Sequence, residues 1–366
     1  MTQLHDPHYR GFASDNYAGA HPEVLAAIAE ANGGHQVAYG EDVYTARLQE
    51  VMASHFGLDA VTYPVFNGTG ANVTALTSLL PRWGAVISAG TAHINTDEGG
   101  APERVMGLKL LTVDTPDGKL TPELIDRQAW GWGDEHRAQP LAVSITNTTE
   151  LGTLYTVDEI RAIAEHVHER GMTLHLDGAR IANAAAALDV SLREFTTEAG
   201  VDILSFGGTK NGLLYGEAIV VLNPAVSEGL TYLRKLTMQL SSKMRFVSAQ
   251  LIALLEGDLW LRSAQHSNAM AARLRGALEE RISTGSIPEG GSITGSGSIA
   301  GLGFTQKTEA NAVFATLPND AADRIRERFR FYDWDRAAGE VRWMTAFDTQ
   351  ESDVDAFVDA ITQELS

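Results

Sequence analysis

The sequence predicts an α/β protein: a three-layer, mainly parallel sheet with helices on both faces, followed by a small C-terminal α+β domain. Three observations predict it. Short apolar runs of strand length alternate with helical patterns along most of the chain. Several runs end in glycine-rich or acidic turns, where open α/β sheets build their sites. After a Gly- and Ser-rich stretch, Thr284 to Gly303, the order of elements changes.

Pro22 to Ala31 reads as a helix, because Pro22 suits a first turn and Val24, Leu25 and Ile28 share a face. Tyr44 to Phe56 is a second helical pattern, and Thr62 to Phe66 is a strand-like run. Asn67-Gly68-Thr69-Gly70 follows, then a helical pattern from Ala71 to Leu80. Val86 to Ser88, Leu108 to Val113 and Leu141 to Ile145 read as strands. A helix from Val157 to Arg170 starts beside the capping candidate Thr156. Thr173 to Leu176 is a strand ending at Asp177, and Ile203 to Phe206 runs into Gly207-Gly208-Thr209-Lys210-Asn211-Gly212. Ala218 to Leu222 is the next strand. Ser227 to Glu256 and Trp260 to Arg281 read as long helices, the first long enough to cross between domains. The tail reads strand (Ala312 to Leu317), helix (Ala321 to Phe329), strand (Val341 to Phe347), helix (Asp353 to Leu365). The expected division is a large domain over 1–250, including the N-terminal segment, and a small one over 251–366.

The 366 residues carry 28 Lys plus Arg against 47 Asp plus Glu, a formal charge of −19. Sequence-independent nucleic-acid binding needs a basic footprint that this balance lacks. No apolar run reaches membrane-spanning length; the best, Ala218 to Leu222, is flanked by Glu217 and Asn223. The start, Met1 to Asp6, has neither the basic nor the apolar region of a signal peptide, so the expected location is the cytoplasm. Cysteine is absent, which excludes disulfides, thiolate catalysis and cysteine-ligated metals. His166 and His168 are two apart on a helix and face different directions, so with His175 they make a poor metal set, and no metal is expected.

Lysine occurs only at 109, 119, 210, 235, 243 and 307. Lys210 alone lies in a glycine-rich turn after an apolar strand. An amine there can form a Schiff base, and neighbouring glycines leave room for a bulky cofactor. Gly68-Thr69-Gly70 sits between strand and helix, where backbone amides and the helix dipole favour an anion. A dinucleotide fits less well: the third glycine position holds Val73, and no acidic residue ends the next strand near Ser88. Asp177 ends a buried strand and could keep a ring nitrogen protonated; a helix cap or a salt bridge to Arg180 is the plainer alternative. His93 could stack on a ring face. A phosphate cradle, a strand-end acid and a lysine together are what pyridoxal phosphate needs.

The motifs Phe12-Ala13-Ser14-Asp15-Asn16-Tyr17, Ala38-Tyr39-Gly40-Glu41-Asp42, Asn67-Gly68-Thr69-Gly70-Ala71-Asn72 and Thr91-Ala92-His93 through Asp97-Glu98 resemble those of low-specificity L-threonine aldolases. So do Leu176-Asp177-Gly178-Ala179-Arg180, Phe206 to Gly212, Ser242-Lys243-Met244-Arg245-Phe246, Glu309 to Phe314 and Val341-Arg342-Trp343. The likeness covers nearly the whole chain in order. It implies a fold type I pyridoxal-phosphate enzyme that cleaves L-threonine, L-allo-threonine and related β-hydroxy-α-amino acids to glycine and an aldehyde. Lys210 would bind the cofactor's aldehyde carbon, Asp177 the pyridine nitrogen, and Gly68, Thr69 and Gly70 the phosphate. Arg180, Arg342 and Ser14 would fix the substrate carboxylate. His93 would stack on the ring and act near the β-hydroxyl, itself or through a water. Tyr39 would line a site completed across a subunit interface, and Lys235 would reach a neighbour's phosphate, in a homodimer or homotetramer with shared sites. Gly70 stands where relatives often carry Ala or Met, which should alter cradle flexibility, and Thr148 to Gly152 lies in a segment that varies. The alternatives are a β-eliminating lyase or an aminotransferase on the same fold. A catalytically silent relative has no need of Lys210, Asp177 and Arg342 together.

Overall fold

The computed structural model describes residues 4–290 and 301–366. Half of the expected Gly- and Ser-rich stretch, residues 291–300, lies outside the described residues. The chain divides into two compact units, Gly19–Arg262 and, together, Met1–Ala18 with Ser263–Ser366.

The larger unit is built on seven strands: β1 (Val61–Val65), β2 (Gly84–Ala89), β3 (Lys109–Val113), β4 (Gln139–Thr146), β5 (Thr173–Gly178), β6 (Ile203–Gly207) and β7 (Glu217–Val221). Their order is β1-β7-β6-β5-β4-β2-β3. β3, β2, β4, β5 and β6 run parallel, whereas β7 is antiparallel to both its neighbours. β2, β6 and β7 are buried along their whole length, as a sheet covered on both faces requires. β1 tolerates Pro64 because it is an edge strand, where a missing N–H breaks no inner ladder. β5 and β6 are neighbours with Asp177 opposite Ser205, so the two site-bearing turns leave adjacent strand ends.

The other unit holds an antiparallel sheet of β8 (Gly303–Phe304), β9 (Ala312–Thr316), β10 (Tyr332–Asp335) and β11 (Glu340–Met344), ordered β10-β11-β9-β8. Helices Asn319–Arg326 and Glu351–Leu365 complete it. Its core gathers Phe12, Leu274, Val313, Trp343 and Phe357. Here the division differs from the expected 1–250 and 251–366: the N-terminal segment belongs with the C-terminal residues, and the boundary falls at Arg262/Ser263. Phe12 is the reason. It is fully buried and stacks on Phe357 at 4.2 Å. Its N–H donates to the Arg330 carbonyl (2.7 Å), and its own carbonyl accepts from the Met344 N–H (2.8 Å).

The long helix expected over Ser227 to Glu256 is broken into Leu230–Leu236 and Arg245–Leu255. Met238 adopts a positive φ of 64° just past the first helix. The Gln239 side chain then turns back to accept the Phe66 N–H at 3.0 Å. The helix that spans the unit boundary is instead Leu259–Ser283. The short helices His93–Thr96, Ala101–Met106, Pro122–Asp126 and Ile181–Leu188, and strands β8 and β10, were not expected from the sequence pattern.

Candidate active site

The ends of β1, β2, β4, β5 and β6 supply the site. After β1, Asn67 caps the helix Gly68–Leu79, its side chain accepting the Gly70 N–H at 2.7 Å. That leaves the Gly68 and Thr69 amides at a helix start, where an anion is favoured. A Cβ on Gly68 would meet no atom within 4 Å, so the space beside it is open. Gly70 is small for a different reason from the one expected. A Cβ there would fall 2.1 Å from the Gln239 side chain, so this glycine makes room for Gln239.

β5 delivers Asp177, which is buried. One carboxylate oxygen accepts the Ala179 N–H (3.0 Å) and the other accepts from Asn72 Nδ2 (2.7 Å). β6 runs into the short turn Thr209–Asn211, which carries Lys210. Buried Glu217 on β7 fixes that turn by accepting the Gly208 N–H at 2.6 Å. Burial pushes the Glu217 carboxyl up to about 7. A Cβ on Gly207 would stand 2.4 Å from the Ala179 carbonyl oxygen, so the two turns meet only because residue 207 is glycine.

His93 opens its short helix and is gripped twice. Its backbone N–H donates to Glu150 Oε1 (2.8 Å), and Nδ1 bonds Glu98 Oε1 (3.0 Å). The Glu98 bond, helped by the charge of Asp177, raises the imidazole above its ordinary pKa against the opposing pull of burial. Glu150 also accepts from Thr146 Oγ1 (3.0 Å). Burial, and then the nearby Asp177 charge, push its carboxyl up.

Gly68, His93, Asp177, Arg180 and Lys210 line one cavity, joined by Asn72, Glu98, Thr146, Thr148, Glu150 and Ala179. Tyr39 and Lys235 do not line it. They meet each other, with Lys235 Nζ 5.0 Å from the centre of the Tyr39 ring. Ser14 and Arg342 belong to the other unit. There Ser14 caps the turn Asp15–Tyr17, and Arg342 lies on β11 with its guanidinium 5.4 Å from the Trp334 ring centre. Of the histidines weighed for metal, His166 bonds Asp126 and His168 bonds Asp202, each at 2.8 Å. His175 lies buried between Ser144 (2.8 Å) and Ser205 (3.0 Å).

Sequence reasoning assigned no role to Asn72, Glu98, Glu150 or Glu217. Asn72 and Glu98 sit inside motifs already singled out, and the one further signal in the sequence is that Glu98 follows His93 by five residues; the nearness of Asn72 to Asp177 is made by the fold. The donor set suits pyridoxal phosphate: open amides for a phosphate, a buried carboxylate for a ring nitrogen, and an amine beside both.

A family model described as beta-eliminating lyase matches residues 11–284. The low specificity L-threonine aldolase of a Pseudomonas strain is 42% identical over 345 residues, which is 94% of this chain and 94% of that protein. The protein of the same name from Pseudomonas aeruginosa is 42% identical over 344 residues, 93% of this chain and 94% of its own. Among solved structures, a Leishmania major threonine aldolase superposes with a TM-score of 0.87 at 29% identity, covering 98% of this chain and 100% of that one.

Proposed function

The chain belongs to the beta-eliminating lyase family and, within it, to the low specificity L-threonine aldolases, and on that premise we propose that Lys210, Asp177, His93 and Gly68 carry an aldol cleavage in their shared cavity. The protein is a pyridoxal-phosphate-dependent lyase that cleaves β-hydroxy-α-amino acids such as L-threonine and L-allo-threonine to glycine and an aldehyde. When bound, the cofactor supplies an electron sink for the pair left on Cα as the Cα–Cβ bond breaks.

The chain's own residues do the rest. Lys210 holds the cofactor's aldehyde carbon. The Gly68, Thr69 and Gly70 segment binds the phosphate at the helix start. Asp177 holds a proton on the ring nitrogen, and its carboxylate is kept in place by Ala179 and Asn72. His93 stacks on the ring and accepts the β-hydroxyl proton, directly or through a water. As that proton leaves, the Cβ–O bond becomes a carbonyl, Cα–Cβ breaks, and Cα takes up a proton to give glycine. Arg180, which lines the cavity, is assigned to the substrate carboxylate, and holding that group fixes the rotation of the scissile bond.

The observation that carries this reading is the meeting of Lys210, Asp177 and His93 in one cavity with the Gly68 helix start. Purified protein is expected to be yellow, and Lys210→Ala should lose both that absorbance and turnover. A wild type that stays colourless after incubation with pyridoxal phosphate would sink the proposal. Rates with threonine, allo-threonine and phenylserine rank the side-chain preference, where one methyl group changes discrimination by roughly 1–3 kcal/mol.

The quaternary reading is a homodimer or homotetramer in which Tyr39 and Lys235 serve a neighbour's site. It is supported by the half-exposed Tyr39 ring beside the Lys235 ammonium. Light scattering checks it: a monomeric mass with full activity contradicts it. A cytoplasmic role in threonine breakdown and glycine supply fits the reaction. Among the described residues, no helix is long and apolar enough to cross a membrane.

A further inference from the structure

Glu98 is a buried carboxyl to which the reaction above gives no task. It sits five residues after His93, just past the short helix that His93 opens. Its Oε1 is shared by two neighbours, His93 Nδ1 at 3.0 Å and Asn72 Nδ2 at 2.8 Å. Asn72 Nδ2 also donates to Asp177 Oδ2 at 2.7 Å. Both partners of that amide are carboxylate oxygens, so the NH2 and not the carbonyl must face them. Each of its hydrogens is therefore used, one toward each carboxylate. The result is a chain of contacts: His93, Glu98, Asn72, Asp177.

The direction of the His93 bond follows from this chain. Oε1 already accepts from Asn72, so it acts as an acceptor there, and the remaining Glu98 oxygen has no hydrogen-bond partner among the described residues. His93 Nδ1 must then be the donor. With its proton committed to Nδ1, the neutral ring presents Nε2 as its lone-pair nitrogen. We propose that Glu98 is a positioning residue: it fixes His93 as the Nδ1–H tautomer, so that Nε2 is the atom that takes the β-hydroxyl proton, and through Asn72 it ties the imidazole to the carboxylate that serves the cofactor ring.

The importance of this inference for turnover rests on the aldolase reading; the tautomer assignment does not. The charged groups around His93 are Glu98 and Asp177, which favour the imidazolium, Lys210, which opposes it, and Glu150, which holds its backbone N–H. Arg180 lines the same cavity. Glu98 is the largest influence that favours the charged ring. A base must be neutral to accept a proton, so the acid limb of the rate profile follows the His93 titration.

The test is nitrogen-15 NMR of the full-length protein labelled at histidine, with the His93 signal identified by its loss in His93→Asn. In wild type above the titration, the proton is expected on Nδ1. In Glu98→Gln the amide oxygen can still accept from Asn72 and His93, so the tautomer should persist while the titration moves to lower pH. In Glu98→Ala the tautomer preference should be lost. With L-threonine, the acid limb of kcat/KM should shift to lower pH in Glu98→Gln, and kcat should fall about tenfold or more in Glu98→Ala.

A neutral wild-type ring carrying its proton on Nε2 overturns the proposal, and this result needs no variant to fold. So does a His93 titration that is unmoved in Glu98→Gln. If the titration moves but threonine is not cleaved, the tie between Glu98 and His93 stands and the aldolase reading fails. If threonine is cleaved with the titration unmoved, only this inference fails.

Discussion

His175 lies two residues before Asp177 on β5, wholly buried, with both ring nitrogens held by serines. Burial pushes its pKa down from 6.5 to about 4. The folded protein therefore resists a proton that the unfolded chain accepts. Stability from this residue is complete above the unfolded value and is lost as pH falls toward the folded one. The loss amounts to about 3 kcal/mol. Urea unfolding across that pH range should show a shallower slope in His175→Gln than in wild type. For His93 the expectation is kinetic: His93→Ala should keep the cofactor absorbance yet cleave L-threonine more slowly, and unchanged turnover would remove its role as base. At this scale the sequence made Lys210 legible, because only six lysines exist and one alone follows a strand in a glycine-rich turn. Asp177 was legible because it ends a buried strand. Glu98 and Glu217 were not, since an acid reads as a solvated charge until the fold shows what surrounds it. Each is buried, and each holds its neighbours by hydrogen bonds that no spacing rule encodes.

Among the elements, alternation of strand and helix was readable from apolar runs, and most of the sheet strands fall where those runs lie. The pattern missed Ile181–Leu188, an alanine-rich helix of eight residues, about two turns and too short for a sustained period. It also merged two helices over Ser227 to Glu256, because their break comes from Gln239 reaching Phe66, a contact distant in sequence. That contact makes a prediction about Gly70. An added methyl would meet the Gln239 side chain and push it off the Phe66 N–H. Leaving that N–H without a partner costs roughly 1–3 kcal/mol. Gly70→Ala should destabilise the protein by about that amount, and Gly70→Ala with Gln239→Ala should cost less than the sum of the two singles in denaturant unfolding. Gly207→Ala has no such relief, because its neighbour is the Ala179 backbone. It should separate the Asp177 and Lys210 turns, and the readout is loss of bound cofactor by absorbance.

On the scale of the whole molecule, the first and last parts of the chain share one core. Phe12→Ala should remove about 3–5 kcal/mol from the unit that holds it, measured as a lower denaturant midpoint. The sequence could not place this segment, since a single buried phenylalanine near the start carries no periodicity. The net charge of −19 describes the chain as a whole, whereas the cavity places Lys210 and Arg180 in its wall, where the proposed reaction needs cations for a phosphate and a carboxylate. The central claim is that this cavity breaks the Cα–Cβ bond of a β-hydroxy-α-amino acid. Its most direct test is to incubate the pyridoxal-phosphate-loaded enzyme with L-threonine and quantify the products. Glycine and acetaldehyde in equal amounts, absent with Lys210→Ala, are the predicted result. Ammonia and a 2-keto acid without glycine would contradict it and favour β-elimination.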